Sequence, residues 1–428
     1  MQHESRRTTR APASPSDLGS RGRSDIIDRF VEARRATDAL AAPLSAEDQL
    51  IQSMPDASPT KWHRAHTTWF FETFLLVPHC RDYRVFDPRF AYLFNSYYEA
   101  VGPRHARPAR GLLSRPSLDE IELYRAHVDQ ATISLADELT ETMSTLIELG
   151  INHEQQHQEL MLTDIKHAFW SNPTWPSYRV EAAPVDAPAP PLGWLEVPAG
   201  IHEVGRGGAG FCFDNEQPAH RVLLPAGRIA DRPVSVGEYL AFMADGGYER
   251  PEFWLSDGWA TVQAERWRAP LYWEPAAAGS WRVFTLGGAR APVPGEPICH
   301  VSYYEATAYA AWAGKRLPTE FEYEVARRHH GTTTSIGRAV RAHPAPLSAA
   351  PFEQDVWEWT ASAYAAYPGY RPAAGAIGEY NGKFMSGQMV LRGRSCATPP
   401  GHDRPTYRNF FPPSARWQFS GFRLAEDA

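Results

Sequence analysis

The chain has 428 residues, 43% of them apolar, and a domain holds roughly 150 residues, so two to three domains are expected. A net charge of −7 and an isoelectric point near 6.2 exclude a global basic field that would attract nucleic acid or anionic lipid. The mean hydropathy is −0.44, and no apolar run approaches the roughly 18 to 20 residues that a membrane-spanning helix needs. The composition predicts a soluble protein.

Cysteine usage and the N-terminus bear on the cellular setting. The cysteines lie far apart and form no CxxC pair, which argues against a zinc ribbon, a redox dithiol or a disulfide framework and favours a reducing cytoplasm; they are Cys80, Cys212, Cys299 and Cys396. Residues 1–24 contain five arginines and no apolar h-region, so they are not a signal peptide. We predict a disordered tail there.

Apolar residues recur at intervals of three and four between residues 25 and 170, which predicts a bundle of about four long helices. The clearest stretches are IIDRFVEARRATDAL, EDQLIQSM, WHRAHTTWFFETFLL and the segment from Leu118 to Trp170. Residues 86–116 interrupt this rhythm with prolines and glycines, and a loop of that length is usually functional or disordered. Its aromatic and arginine content favours a function.

The second half of the chain has a different composition and a different pattern of apolar residues. Residues 171–193 are rich in Pro and Ala, which predicts an extended linker. From residue 194 to 428, short apolar runs alternate with Gly, Pro and Asp turns, and helical periodicity returns in VGEYLAFMADG and YYEATAYAAWAG. An α+β domain with irregular loops is therefore expected over 194–428.

A pair of histidines is the first feature that indicates chemistry. His153 and His157 are four residues apart in a helical segment, so both rings project from one face and form half of a metal site. A third ligand has to come from another helix, and WHRAHTTWFFETF offers His63 or His66. An all-histidine set suits Fe(II) and oxygen chemistry as well as Zn, and spacing does not choose between them.

The same string matches HExxH, the zinc-peptidase signature in which the Glu is the general base. A metzincin would continue with Gly and His, but Leu160 and Thr163 occupy those positions. No Glu lies between Glu159 and Glu181 to serve as a downstream ligand. A peptidase is therefore disfavoured.

Further motifs resemble known families. The first half is similar to the DinB-like metal-binding helical bundle through SPTKWHRAH and HEQQHQE. The second is similar to the formylglycine-generating-enzyme (sulfatase-modifying-factor) fold through DNEQPAHRV, PICHVSYYEATAYAAWAGKRLPTEFEYEVA, DVWEW, VLRGRSCA and SGFRLA. Fused in this order, from about residue 25 to 428, they resemble the ergothioneine-biosynthesis sulfoxide synthases. This implies a multidomain α and α+β fold, with a DinB-like bundle over 25–170, a C-type-lectin-like α+β domain over 194–428, and an active site at their seam.

The resemblance implies a reaction and a metal. In this family a mononuclear non-heme Fe(II) uses O2 to join a cysteine sulfur to imidazole C2 of hercynine (Nα-trimethylhistidine), giving the sulfoxide. The HxxxHxE motif falls on His153, His157 and Glu159, and the SPxxWxxAH motif gives the third ligand as His66. The implied cofactor is Fe(II), and the implied partners are hercynine, cysteine and O2.

A proton donor is also implied, because the chemistry must lead to C–S coupling and not to simple thiol dioxygenation. Tyr97 and Tyr98 in the mid-bundle loop are the candidates, with ordinary aromatic packing as the alternative. Family members that use free cysteine take their acid from such a tyrosine pair. Members that use γ-glutamylcysteine take it from the C-terminal domain.

The resemblance also indicates substrate contacts. Aromatic faces and polar oxygen suit the trimethylammonium of hercynine, and Asn409, Phe410 and Phe411 lie in a run that resembles the family's substrate-lining loop. Gln156 matches a residue that hydrogen-bonds the substrate imidazole. The γ-glutamylcysteine branch has Trp-Asp where this chain has Phe410-Phe411, which favours the free-cysteine branch.

Arginine suits a carboxylate because its guanidinium is a fixed fork of donors. Arg104 and Arg107 have the spacing of the family's arginine pair and are expected to bind the cysteine carboxylate. Arg110 and Arg115 are rivals, and ordinary surface charge is a further alternative.

Other functions stay open. The thiol donor could be γ-glutamylcysteine, or the enzyme could be an ovothiol-type 5-histidylcysteine sulfoxide synthase. A formylglycine-generating enzyme is disfavoured because it needs paired cysteines near the C-terminus, where Cys396 stands alone after residue 299. A metal-free binding module is a candidate from a different class, and iron content separates it from the enzymes. Arg394 replaces a usual Gly (RGRS for RGGS) and would strain that turn if its φ is positive.

Overall fold

The computed structural model describes residues 15–180, 188–331, 339–352 and 355–428. Its N-terminal half is a helical bundle, as predicted. The helices are α1 (Pro15–Ala41), α2 (Thr60–Phe71), α3 (Val77–His79), α4 (Phe90–Phe94), α5 (Leu118–Ser134) and α6 (Glu141–Ser171). A π-helical turn, Glu72–Leu76, joins α2 to α3.

Helix α6 is the central element of the bundle, because α1 and α2 both pack against it and α2 also contacts α5. Gly150 makes the close approach possible, since a Cβ there would lie 2.3 Å from Cε1 of Phe71. The start of α5 is defined by a capping box in which Ser117 and Glu120 each accept the other's backbone N–H.

Some boundaries differ from the prediction. The segment Leu118–Trp170 forms two helices, because residues 135–140 leave the helical path before Thr140 caps α6. EDQLIQSM contains only a 3-10 turn, Asp48–Leu50. Helix α1 begins at Pro15, within the predicted tail over 1–24, and the tail itself stays a prediction. Residues 1–14 lie outside the described residues.

Part of the predicted linker over 171–193 is packed. The backbone N–H of Tyr178 donates to the carbonyl of Leu286 at 2.8 Å, and its hydroxyl donates to the carbonyl of Leu40 at 2.6 Å. Tyr178 therefore joins α1 to the second half of the chain. Residues 181–187 lie outside the described residues, and the proposed domain limits stay a prediction.

The C-terminal half is the predicted mixture of helices and short strands. Its helices are α7 (Val236–Ala244), α8 (Ser256–Glu265), α9 (Tyr303–Trp312) and α10 (Glu320–His330). Its strands are β1 (Trp194–Val197), β2 (Gly200–Val204), β3 (His220–Leu224), β4 (Gly227–Ala230), β5 (Trp273–Pro275), β6 (Trp281–Thr285), β7 (Gly288–Arg290), β8 (Trp357–Ala363), β9 (Met389–Gly393), β10 (Asn409–Phe411), β11 (Ser420–Gly421) and β12 (Ala425–Asp427).

The strands form small sheets with the orders β1-β4-β12, β2-β3, β5-β6-β7 and β10-β9-β8-β11. In the four-stranded sheet, β8 pairs antiparallel with β9 and parallel with β11, and β10 forms the edge beside β9. The left-handed position in the RGRS turn is Gly393, with φ of 96°, and Arg394 does not have a positive φ. The strain considered for Arg394 is therefore absent.

A partly buried carboxylate connects the two halves. Glu159 on α6 accepts hydrogen bonds from Trp357 Nε1 at 2.9 Å, from Thr398 Oγ1 at 2.7 Å and from the hydroxyl of Ser395. All three donors belong to the C-terminal half. Within the described residues, no helix is both long and apolar enough to cross a membrane.

Replacing Glu159 by Ala is expected to lower the free energy of unfolding by about 3 kcal/mol, because it leaves buried donors without an acceptor. Urea unfolding measures this change. Glu148→Ala is the matched control, since Glu148 lies on the same helix and pairs with Arg29 at a partly exposed position; we expect a change within about 0.5 kcal/mol. Equal effects of the two substitutions would contradict the interpretation of Glu159 as a connection between the halves.

Candidate metal centre and the surrounding pocket

Three histidines converge where α2 meets α6. His66, His153 and His157 each offer one ring nitrogen, and these atoms all lie within 4.8 Å of one another. Nε2 of His66 is 3.2 Å from Nε2 of His153. The four-residue spacing on α6 puts two rings on one helix face, and α2 supplies the third, so the predicted set of three comes together.

The other ring nitrogens hold two of these imidazoles in orientation. Nδ1 of His66 lies 2.6 Å from the carbonyl oxygen of Phe94, and Nδ1 of His157 lies 2.8 Å from Nδ1 of His63. A carbonyl only accepts, so Nδ1 of His66 carries the proton and its Nε2 lone pair faces the other rings. His63, the alternative metal ligand in the sequence analysis, instead contacts His157, one of the three candidate metal ligands.

Burial keeps the rings neutral, which is the form that binds a metal. Loss of solvation lowers the pKa of His153 to about 3 and lowers the pKa values of His66 and His157 well below the ordinary value. Nδ1 of His153 is buried without a hydrogen-bond partner. The donor set therefore fits a divalent cation, and it suits Fe(II) as well as Zn.

The glutamate of the HExxH string does not face this centre. Glu154 is buried on another side of α6, where it accepts from Arg34 at 2.9 Å and from Thr37 at 2.6 Å. Its carboxylate is held by an ion pair, so it is not available as a general base at the histidines. This geometry argues against the peptidase alternative.

Arg110 is the arginine next to the histidines. Its guanidinium lies 3.3 Å from the centroid of the Trp62 ring, which stacks on the ring of His66 at 4.7 Å. Arg110 is 3% exposed and donates to Ser58 Oγ at 2.9 Å, and no carboxylate among the described residues lies within ion-pair distance of it. Burial and neighbouring arginines lower its pKa.

The structure does not bring the other two arginines into the pocket. Arg104 is exposed and pairs with Glu99. Arg107 is exposed and donates to the backbone carbonyl of Asp56. The spacing pointed to this arginine-rich loop, and the 3-10 turn Arg107–Leu112 decides which of its arginines is buried.

Tyr97 and Tyr98 lie in the loop after α4, with their ring centroids 4.6 Å apart. Asn95 folds this loop, since its side chain accepts the N–H of Tyr98 at 3.1 Å and donates to the Tyr98 carbonyl at 3.0 Å. Tyr98 is buried against Trp69, whose ring also stacks on His66 at 5.4 Å. Burial raises the pKa of both tyrosines, so their hydroxyls stay protonated.

A third tyrosine reaches the centre from the C-terminal half. The ring of Tyr380 lies 5.6 Å from that of His153 and 6.2 Å from that of Tyr97, and its hydroxyl donates to Oε1 of Gln156. Burial raises its pKa. The sequence analysis missed Tyr380, because it follows the short 3-10 turn Ala376–Glu379 in an irregular loop that has no motif or periodicity.

The segment that carries Tyr380 is attached to the tyrosine loop of the bundle. Glu379 accepts the backbone N–H groups of Glu99 at 2.9 Å and of Ala100 at 2.8 Å. Lys383 donates to Glu379 at 2.8 Å and also to the carbonyl of Tyr97. Polar contacts therefore hold tyrosines from the two halves beside one another.

Gln156 is the polar centre of the pocket wall. Its amide nitrogen donates to the hydroxyl of Tyr407 at 2.6 Å, and its amide oxygen accepts from Tyr380. The Tyr407 hydroxyl in turn lies 3.3 Å from Nε2 of His402. The amide of Gln156 thus has a defined orientation, set by two residues from the C-terminal half.

The aromatic residues of β10 lie next to this wall. Phe410 stacks on Tyr364 at 4.0 Å and lies 5.9 Å from Phe384, which contacts Tyr97 at 5.2 Å. Phe411 packs edge-on against Trp417. Asn409 sits at the start of the strand, where its side chain accepts the N–H of Phe410 at 2.9 Å.

Comparison with protein families matches both halves. The DinB superfamily model matches residues 29–161, and the sulfatase-modifying factor enzyme 1-like domain model matches residues 181–346 and 343–428. The hercynine oxygenase of Mycolicibacterium smegmatis is 34% identical over 95% of this chain and 99% of its own length. That of Mycobacterium tuberculosis is 35% identical over 87% and 92%.

The chain belongs to the hercynine oxygenase family. It is therefore an oxygenase, with the two predicted domains in the predicted order. The ergothioneine biosynthesis protein 1 of Schizosaccharomyces pombe is also similar, at 26% identity over 51% of this chain and 28% of that protein.

The neutral state of the histidines predicts a pH dependence. In the unfolded chain histidines take up protons below about pH 6.5, whereas in the folded protein the pKa of His153 is about 3. Below about pH 6.5 the unfolded state therefore binds more protons than the folded state. As the pH is lowered through this range, the free energy of unfolding of the metal-free protein should fall by about 1.4 kcal/mol per pH unit for each such histidine. Urea unfolding at pH 7.0 and 5.5 measures this, and an unchanged or higher stability at pH 5.5 would contradict it.

Proposed function

We propose that this protein catalyses Fe(II)- and O2-dependent oxidative C–S bond formation between hercynine and cysteine, giving hercynylcysteine sulfoxide in ergothioneine biosynthesis. One observation carries the proposal: in a chain of the hercynine oxygenase family, three neutral imidazoles converge at the seam of the two domains, beside tyrosines and a glutamine. Domain interfaces are common sites for such pockets. We also propose a cytoplasmic location.

His66, His153 and His157 would hold the iron. Three histidine nitrogens on one side of the ion leave positions for substrates, and a bound Fe(II) would supply the activation of O2 and of the thiol. The protein's own contribution is to fix the rings, keep them neutral and bring both substrates next to one another.

Hercynine has two ends with different chemistry, and the pocket offers a partner for each. Gln156 and Tyr380 are oriented groups that suit the imidazole. The trimethylammonium donates no hydrogen bond, so it suits the aromatic faces of Phe384 and Phe410. Asn409, the residue before Phe410, supplies polar groups for the carboxylate. Phe411 packs against Trp417, on the other face of the strand, and is not part of this aromatic wall.

Arg110 is our candidate for the carboxylate of the thiol substrate. A buried guanidinium without a carboxylate partner has a large desolvation cost, which an anionic ligand would offset. Arg110 contacts Trp62, and Trp62 stacks on His66, so the guanidinium lies near the metal centre on the side of His66. This assignment replaces the expectation for Arg104 and Arg107.

Tyr97, Tyr98 and Tyr380 are the candidate proton donors. The tyrosine pair favours free cysteine as the thiol donor. Tyr380, however, comes from the C-terminal domain, which is where the γ-glutamylcysteine branch keeps its acid, and γ-glutamylcysteine is therefore the second candidate substrate. Phe410 and Phe411, in place of Trp-Asp, favour cysteine.

Replacing His66 by Ala is expected to abolish both iron binding and sulfoxide formation, because two imidazoles on one helix hold the ion poorly. Iron content after anaerobic loading and product yield measure the two effects. His202→Ala is the control, since His202 lies on strand β2, outside the metal centre, and its ring contacts the carbonyl of Pro198 and the ring of His329. Normal iron occupancy in His66→Ala would overturn the ligand assignment.

Replacing the proton-donating tyrosine by Phe is expected to shift the products from sulfoxide to cysteine sulfinate, by about 100-fold in their ratio, because a general acid is lost. Tyr97→Phe, Tyr98→Phe and Tyr380→Phe are compared by mass spectrometry. Tyr309→Phe, in the core between α7 and α9, is the control. An unchanged ratio of sulfoxide to cysteine sulfinate in all three variants would show that none of these tyrosines is the proton donor.

A further inference from the structure

We infer that Asp164 and His63 are positioning residues for the metal centre: together they hold His157 in the tautomer whose Nε2 lone pair faces the metal. The inference rests on the proposed function only in that it takes His157 as a ligand. It gives a role to His63, which the family motif leaves aside, and to a buried carboxylate of α6 that the proposed chemistry does not use.

The three groups form a continuous buried chain. Oδ2 of Asp164 lies 3.0 Å from Nε2 of His63, and Nδ1 of His63 lies 2.8 Å from Nδ1 of His157. Side chains of Asp164 and His63 are 5% and 2% exposed, so water does not compete for these hydrogen bonds. Oδ2 of Asp164 also accepts the backbone N–H of Ser58 at 2.8 Å, which ties the carboxylate to the turn before α2.

The direction of both hydrogen bonds follows from the carboxylate of Asp164, at which the hydrogen-bonded series ends. A carboxylate only accepts, so Nε2 of His63 carries a proton and donates it. A neutral imidazole has one donor and one acceptor nitrogen, so Nδ1 of His63 then accepts across the 2.8 Å contact with Nδ1 of His157. Nδ1 of His157 must therefore be the donor, and Nε2 of His157 is left with a lone pair.

The alternative tautomer of His157 cannot bind a metal through Nε2. It would also set Nδ1 of His157 and Nδ1 of His63 against each other as two acceptors, which leaves both buried atoms unsatisfied. Asp164 therefore acts on the centre without touching it. A carboxylate that orients a ligating histidine typically contributes 10- to 100-fold in metal affinity.

Asp164→Asn tests the direction of the hydrogen bonds between Asp164, His63 and His157 with a minimal change in side-chain shape. The Asn amide can donate to Nε2 of His63, which allows the Nδ1–H tautomer of that ring. Two Nδ1–H groups would then oppose each other, so His157 is driven to carry its proton on Nε2. His63→Leu is the second variant, since it removes the acceptor altogether.

The experiment has two readouts that do not depend on turnover. Tautomers are read in metal-free, 15N-histidine-labelled protein by two-bond 1H–15N spectra, with His157 assigned by the signals that disappear in His157→Ala. Fe(II) affinity is measured anaerobically by competition with a chelator. Glu148→Gln, on the same helix and remote from the histidines, is the control, and thermal unfolding without metal shows that each variant is folded.

We expect the Nδ1–H tautomer for His157 in the parent protein, its loss in Asp164→Asn, and Fe(II) binding that is about 10- to 100-fold weaker in both variants than in the control. An Nε2–H tautomer of His157 in the parent protein would overturn the inference, whether or not the protein binds iron. Unchanged Fe(II) affinity in both folded variants would also overturn it. If the parent protein shows the expected tautomer and binds no Fe(II), the proposed function fails while this inference stands.

Discussion

Helix α6 meets different environments on different sides, and the site depends on that one element. One side carries His153 and His157 towards α2, another buries Glu154 in an ion pair with Arg34, and a third presents Glu159 to the C-terminal domain. A helix repeats every 3.6 residues, so groups only one to six positions apart can serve three purposes without interference. A rotation or shift of α6 would disturb the metal centre, the core of the bundle and the domain contact together.

The pocket is assembled from groups whose ordinary ionisation states are altered by burial. Its histidines are kept neutral and its tyrosines protonated, so neither set carries charge. Arg110 is the contrasting case, a buried guanidinium without a carboxylate partner among the described residues. A pocket with neutral donors and one cation is suited to an anionic small molecule that binds next to a metal.

The sequence predicted the fold class, the two domains and the histidine set, because each depends on local spacing or on dense motifs. The choice among Arg104, Arg107 and Arg110 could not be made in that way, since all three repeat at one spacing and only the 3-10 turn decides which is buried. Tyr380 gave no signal because it comes from an irregular loop that meets the bundle only in the folded protein. The relation of His63 to Asp164 required the packing of α2 against α6, over a separation of 101 residues.

The proposed use of cysteine as the thiol donor rests on the arrangement of the tyrosines and of β10. The tyrosine pair of the bundle and the tyrosine of the C-terminal domain lie within one group of aromatic contacts. Aromatic side chains on β10 leave no acidic residue there for a γ-glutamyl ammonium group. On these two features we base the proposal of cysteine over γ-glutamylcysteine.

The most direct test is a reaction of the parent protein loaded anaerobically with Fe(II), given hercynine with either cysteine or γ-glutamylcysteine, and then exposed to O2. Mass spectrometry of the products decides the outcome. Our account predicts hercynylcysteine sulfoxide from cysteine. Absence of any product that couples hercynine to a thiol, in protein that retains its iron, would contradict it.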